Sequence, residues 1–324
     1  MPNRLALIFP GQGSQYLGMG LDLYQQYPEA RTVFDEADRA LGMKLSELCF
    51  KGPESELHDT FNTQPAILTV STAALRALKA MHYLGEIAFA AGHSLGEYTA
   101  LVASGQISFA DAVRLVRERG RLMKQAGERQ RGGMAAVLGL APEAGDEACE
   151  QAREETGTIV QVANHNSPGQ IVISGEQKGL ERATELAKQK GARRVVPLRV
   201  SIASHCSLME SAARGLREAL ARVVLREGSV PVVGNVTGKP LRSADEVREE
   251  LVKQLVSPVL WVDSVRYMLD HGVTAFAEIG PKDVLSNLIK RIDRGPKRAS
   301  VGDVASIEAW YQERSVQRGD VSEE

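Results

Sequence analysis

The chain has 324 residues, 43% of them hydrophobic and 25% charged, with a formal net charge of -2. That composition belongs to a globular protein with a large core and gives no electrostatic reason to expect nucleic acid as a partner. The apolar runs are too short for a membrane span, and three widely spaced cysteines, Cys49, Cys149 and Cys206, suggest neither a disulfide framework nor a zinc site.

The N-terminus passes from Met1-Pro2-Asn3-Arg4 into Leu5–Phe9, an apolar segment shorter than a signal peptide needs, so a reducing cytoplasm is the expected setting. Leu5–Phe9 reads as a buried strand running into the loop Pro10-Gly11-Gln12-Gly13-Ser14-Gln15. The loop lacks the Gly-Lys-Ser/Thr ending of a phosphate-binding loop and the third glycine of a dinucleotide fingerprint. It fits better as the source of one backbone N–H of an oxyanion hole.

Apolar spacing predicts a helix over residues 28–41, and Gln64-Pro65 opens another to about His82. Residues 87–91 are apolar and lead into Gly92-His93-Ser94-Leu95-Gly96 and then a helix closed by Gly105. A strand reversing into a helix through Gly-x-Ser-x-Gly is a nucleophile elbow, in which glycine leaves room for the turn. Ser94 is therefore a candidate nucleophile; the alternative is an N-cap of the following helix.

Ser108-x-x-Asp111 starts a helix predicted to reach Lys124. On it Ala112, Leu115, Val116, Leu122 and Met123 form one apolar stripe interrupted by Arg119, while Arg114, Arg117 and Arg121 lie off that face and are expected to be solvated. A buried arginine needs an anion or several acceptors, supplied either by an internal ion pair or by a substrate carboxylate held bidentately.

After Gly132-Gly133 the pattern changes to strand 134–140, helix 142–156, strands 159–163 and 170–174, helix 177–190 and strand 193–198. This βαββαβ order is ferredoxin-like, inserted as residues 131–199 into a larger α/β domain formed by residues 1–130 and 200–294. A short strand at 231–235, helices at 244–256, 258–271 and 284–292, and a strand at 274–279 complete the large domain. Residues 295–324 are polar and aperiodic and are expected to form a loosely attached C-terminal tail.

Six histidines could serve Ser94 as base: His58, His82, His93, His165, His205 and His271. His205, among small residues at the start of a helix where the large domain resumes, is favoured over His165. No acid between Ser94 and His205 sits at a strand end to orient the histidine, so the Ser…Asp…His order fits poorly. Cys206, beside His205 in the chain, cannot readily face it as a nucleophile.

Taken together, Phe9-Pro10-Gly11-Gln12-Gly13-Ser14-Gln15, Gly92-His93-Ser94-Leu95-Gly96-Glu97, Arg119-Gly120, Asn164-His165-Asn166-Ser167-Pro168-Gly169-Gln170 and Ser204-His205-Cys206 resemble the malonyl-CoA:acyl carrier protein transacylase family, over about residues 3–293. The resemblance implies an α/β-hydrolase-like large domain with a parallel sheet and an inserted ferredoxin-like subdomain. It also implies ping-pong transfer of malonyl from malonyl-CoA, through an O-malonyl-serine at Ser94, to the phosphopantetheine thiol of holo acyl carrier protein.

On that resemblance His205 is the base, the N–H groups of Gln12 and Leu95 form the oxyanion hole, and Arg119 binds the substrate carboxylate. The histidine is oriented by a main-chain carbonyl, matched here to Leu260, and His93, Asn166 and Ser204 are substrate-pocket candidates. Coenzyme A and holo acyl carrier protein are the expected partners, with no bound cofactor, no metal, no nucleic acid, no membrane, and a monomer. Malonyl is favoured over methylmalonyl, and the acceptor serves either fatty acid or polyketide synthesis. Two rivals are a hydrolase releasing acyl groups from carrier protein and an idle module that only docks it.

Overall fold

The computed structural model describes residues 4–81, 84–198, 200 and 202–318. Its strands are β1 (Leu5–Phe9), β2 (Ile87–Gly92), β3 (Gly132–Leu138), β4 (Val160–Ser167), β5 (Gln170–Glu176), β6 (Arg194–Pro197), β7 (Val232–Val233), β8 (Pro240–Leu241), β9 (Ala275–Ile279) and β10 (Lys297–Val301). The chain forms two compact units: residues 1–117, 224–233 and 268–324, and residues 118–223 and 234–267.

In the first unit the strands lie in the order β10-β9-β1-β2-β7, and every pairing among them is parallel. Strand β1 is buried along its whole length, as its unbroken apolar run requires of a central parallel strand. Register aligns Phe9 with Gly92, so both chains leave the sheet at the same level.

The helix Gly96–Ser104 ends on Gly105 at φ +83°, the left-handed cap expected from sequence. The helix expected from Gln64 instead spans Thr60–Ala80, because Asp59 caps it by accepting the Phe61 N–H at 3.1 Å. Pro65 thus sits inside the helix, leaving the Phe61 carbonyl without its i+4 donor. His82, the expected end of that helix, lies outside the described residues.

The residues after Gly295 depart from expectation. Residues 297–318 are not a loose tail: Lys297–Val301 adds a parallel strand beside β9, and Val304–Arg318 is helical. Val301, Ile307 and Trp310 are buried, and the helix start is tied down where the Val304 N–H donates to Asp22 Oδ2 at 2.8 Å. Three apolar anchors spread over ten residues hold the segment while leaving its average composition polar.

The second unit contains the antiparallel sheet β4-β5-β3-β6, the strand order of a ferredoxin-like βαββαβ unit. Its helices Pro142–Thr156 and Gln177–Gln189 cover one face, burying Val137, Val160, Val162, Ile171, Ile173, Leu180 and Leu186 in one cluster. The second unit is wider than residues 131–199, taking in the end of the helix Phe109–Arg129 and the helix Ala244–Gln254. Strand β4 runs on through Asn164-His165-Asn166, beyond the strand expected over 159–163.

Glu278 at the end of β9 is buried, with its carboxylate accepting the N–H groups of Leu285 at 2.9 Å and Ser286 at 2.7 Å. Burial outweighs these bonds and pushes its carboxyl up to about 7 from an ordinary 4.5. A carboxyl raised by folding adds stability below its unfolded value that is lost as pH rises through the folded value. The stability of the wild type relative to Glu278→Gln should therefore fall between pH 4.5 and 7, by at most about 1.4 kcal/mol per pH unit. Denaturant titrations of both proteins across that range check this, and a constant difference would refute it.

Candidate active site

The serine lies in the first unit. Ser94 has φ +52°, a left-handed conformation in which non-glycine residues are strained. The strain is held by main-chain contact: a β-carbon at Gly92 would overlap the backbone of Gly96, and one at Gly96 would overlap the Phe9 carbonyl. The His93 N–H donates to the Phe9 carbonyl at 3.1 Å and the Gly96 N–H to the His93 carbonyl at 2.9 Å, which closes the turn. Ser94 is half-buried, just past the end of β2.

Leu95 is buried and stands at the N-terminal end of the helix Gly96–Ser104, where backbone N–H groups have no intrahelical acceptor. The loop carrying Gln12 lies against this turn, since a β-carbon at Gly11 would sit 2.5 Å from the His93 carbonyl oxygen. Gln12, Leu95 and Ser94 are thereby gathered at the ends of β1 and β2. His93 is half-buried, and its carbonyl is the one that both closes the turn and receives Gly11.

The histidine and the arginine lie in the second unit. His205 is buried, at φ +60°, with Nδ1 2.7 Å from the main-chain oxygen of Gln254. A carbonyl only accepts, so Nδ1 carries the proton and Nε2 is left as the basic nitrogen. Among the described residues only Ser94, His205 and Lys282 are non-glycine residues with positive φ.

The orienting carbonyl corrects the expectation of Leu260. The Leu260 oxygen instead accepts from the Ser264 N–H at 3.0 Å and the Ser264 hydroxyl at 3.1 Å, opening the helix Trp261–Asp270. Gln254 is the last residue of the helix Ala244–Gln254, so its carbonyl is one of those the helix cannot satisfy internally. It lies at the negative end of the helix dipole, which favours a positively charged imidazole by about 0.3–1 kcal/mol. Gln161 on β4 holds the His205 main chain from another side, its Nε2 donating to the His205 carbonyl at 3.2 Å.

Arg119 is buried, and its Nη2 donates to Gln254 Oε1 at 2.9 Å. Gln254 therefore holds the histidine with its main chain and the arginine with its side chain. Arg117, expected in solvent, is half-buried, with its guanidinium 4.1 Å over the Phe61 ring and a contact to Met43 Sδ. Burial lowers its affinity for a proton.

Asn166 is half-buried on β4 where the register with β5 slips, a bulge of the kind that re-aims a side chain. Ser204 is half-buried beside His205. The rival base His165 is committed to β4, its N–H donating to the Val259 carbonyl at 2.9 Å. The Cys206 thiol is buried, hydrogen-bonded to the Ala203 carbonyl at 3.2 Å, and burial raises it further from ionisation.

The model of the acyl transferase domain family matches residues 6–312. The malonyl CoA-acyl carrier protein transacylase of Bacillus subtilis is 47% identical over 310 residues, covering 96% of this chain and 97% of its own. Among solved structures, the acyl carrier protein S-malonyltransferase of Vibrio cholerae has a TM-score of 0.91 at 43% identity, covering 94% of this chain and 99% of that one. A chain from the complex of a type II PKS acyl-carrier protein with its malonyl-transacylase also has a TM-score of 0.91 at 43% identity, covering 96% and 99%.

The elbow predicts a contrast between glycines. Gly92→Ala and Gly96→Ala each force backbone apart and should lower unfolding free energy by about 3 kcal/mol, with loss of Ser94 labelling by a fluorophosphonate. Gly105→Asn, where a β-carbon meets nothing within 4 Å, should cost no more than about 1 kcal/mol and leave labelling intact. Equal effects at the three positions would contradict the packing argument.

Proposed function

Because the chain belongs to the acyl transferase domain family, we propose that it transfers a malonyl group from malonyl-CoA to the phosphopantetheine thiol of holo acyl carrier protein, through an ester on Ser94. It is an acyl carrier protein S-malonyltransferase, an activity its relatives carry by name. The observation that supports this reading most is the double use of Gln254, which orients a histidine and a buried arginine at one point.

In the first half-reaction Nε2 of His205 takes the proton from Ser94 Oγ as the oxygen attacks the thioester carbonyl. The N–H groups of Gln12 and Leu95 receive the developing oxyanion, and collapse breaks the C–S bond. The departing coenzyme A sulfur takes the proton back from His205. The second half-reaction reverses these steps: the carrier-protein thiol loses its proton to His205, attacks the serine ester, and Oγ leaves as the hydroxyl. The imidazolium formed each time is stabilised by the carbonyl of Gln254 and the helix end that bears it.

Arg119 gives the reaction its selectivity. A guanidinium with one nitrogen fixed on Gln254 Oε1 is pre-oriented to pair with the free carboxylate of malonyl. A neutral acyl group offers that buried cation no carboxylate, so acetyl is discriminated against. Malonyl-CoA is the substrate and coenzyme A a product, no bound cofactor enters the proposed chemistry, and a monomer in the cytoplasm is the setting proposed. Among the described residues no helix is long and apolar enough to cross a membrane.

Intact mass after incubation with malonyl-CoA tests the nucleophile: wild type should gain one malonyl group and Ser94→Ala none, whereas an adduct that survives in Ser94→Ala would overturn the assignment. For selectivity, Arg119→Ala should lose at least about a hundredfold in malonyl loading, the worth of a buried charged pair, while acetyl loading holds or rises. Equal losses for both acyl groups would make Arg119 structural.

A further inference from the structure

The Gln12 N–H is useful as an oxyanion donor only if its peptide plane is held with that hydrogen presented. The N–H belongs to the same planar, trans peptide group as the carbonyl of Gly11, so the two point in opposite directions. Whatever fixes the Gly11 oxygen therefore fixes the donor. The Ser14 hydroxyl donates to that oxygen at 2.6 Å, joined by the Ser14 N–H at 3.4 Å. Ser14 is itself buried, at 2% exposure, so water does not compete for the bond.

The geometry around the bond is built to keep it. Residues 11–14 form a turn whose third position, Gly13, has φ +103°, a conformation favouring glycine. The Gly13 N–H is taken by Gln15 Oε1 at 2.7 Å. On the other side the Gln12 side chain is anchored, its Oε1 accepting from the Thr60 hydroxyl at 2.8 Å. Thr60 in turn accepts from Nε2 of Gln64 at 3.0 Å, and both Thr60 and Gln64 are buried at the start of the helix Thr60–Ala80.

We propose that Ser14 and Thr60 are positioning residues for the oxyanion hole, Ser14 by locking the Gly11–Gln12 peptide and Thr60 by tethering the Gln12 side chain. Neither touches the reacting atoms. Without the Ser14 hydroxyl the Gly11 oxygen keeps only the long 3.4 Å bond from the Ser14 N–H, and rotation of the loosened peptide turns the carbonyl toward the position the N–H should occupy, replacing a donor by an acceptor. The hydrogen bond also polarises the peptide, strengthening the N–H as a donor. The proposal rests on the transferase reading, in which the Gln12 N–H serves the tetrahedral intermediate formed at Ser94.

The test is rapid-quench measurement of malonyl-enzyme formation over a range of malonyl-CoA concentrations, for wild type, Ser14→Ala and Thr60→Val. A missing oxyanion donor costs on the order of 100- to 1000-fold in rate, and a misplaced one part of that. Each variant should acylate about 10- to 100-fold more slowly at saturation, with half-saturation within twofold of wild type, because the oxyanion exists only in the transition state. A saturated rate within twofold of wild type, or a loss carried by half-saturation alone, would overturn the proposal. Thr60→Val decides the matter should Ser14→Ala fail to fold. If wild type forms no malonyl-enzyme at all, the transferase reading falls; if wild type and variants load alike, only the positioning roles fall.

Discussion

Main-chain contact between β1 and the turn after β2 is the constraint on which the serine depends. Ser94 occupies its strained conformation because Gly92 and Gly96 touch and because Gly96 lies on the Phe9 carbonyl. Those contacts require β1 and β2 to be adjacent, parallel and level at Phe9 and Gly92. The same closeness brings Gly11 onto the His93 carbonyl and delivers the Gln12 loop to the elbow. A single demand for missing side chains thus fixes strand order, register and two of the groups assigned to the reaction.

The second unit meets a different problem, which is to hold a basic nitrogen without an acid. The carbonyl at the end of the helix Ala244–Gln254, which has no donor within the helix, answers it, giving His205 a partner that can only accept. A neutral partner suits the proposed chemistry, since a carboxylate would add a negative charge where an anionic malonyl group has to be bound. The side chain of the same residue holds Arg119, so one helix end serves both.

Much of this was legible in the sequence because its signals are local. Gly92-His93-Ser94-Leu95-Gly96 following an apolar strand, and Arg119 breaking an apolar stripe, each carry their meaning within one or two turns of chain. The βαββαβ order was readable from periodicity alone and emerged with the expected strand order. Gln254 was not legible, because a main-chain carbonyl leaves no trace in residue type and its partner lies 49 positions away. Gln254, not Leu260, carries the orienting carbonyl: resemblance implies the kind of group but not the helix end that exposes it. The segment after Gly295 was misread because three anchors, Val301, Ile307 and Trp310, are too sparse to set a period among polar neighbours. Arg117 was missed because its aromatic partner, Phe61, is remote in sequence.

In the proposed reaction Ser94 relays an acyl group between two thiols instead of passing it to water. Partition of the isolated malonyl-enzyme tests this most directly: the adduct is freed of malonyl-CoA and its discharge is followed in buffer, with apo acyl carrier protein and with holo acyl carrier protein. A relay gives a stable ester in the first two conditions and rapid, stoichiometric appearance of malonyl on the holo carrier protein in the third. Discharge to water at the same rate in all three would contradict it and identify a hydrolase.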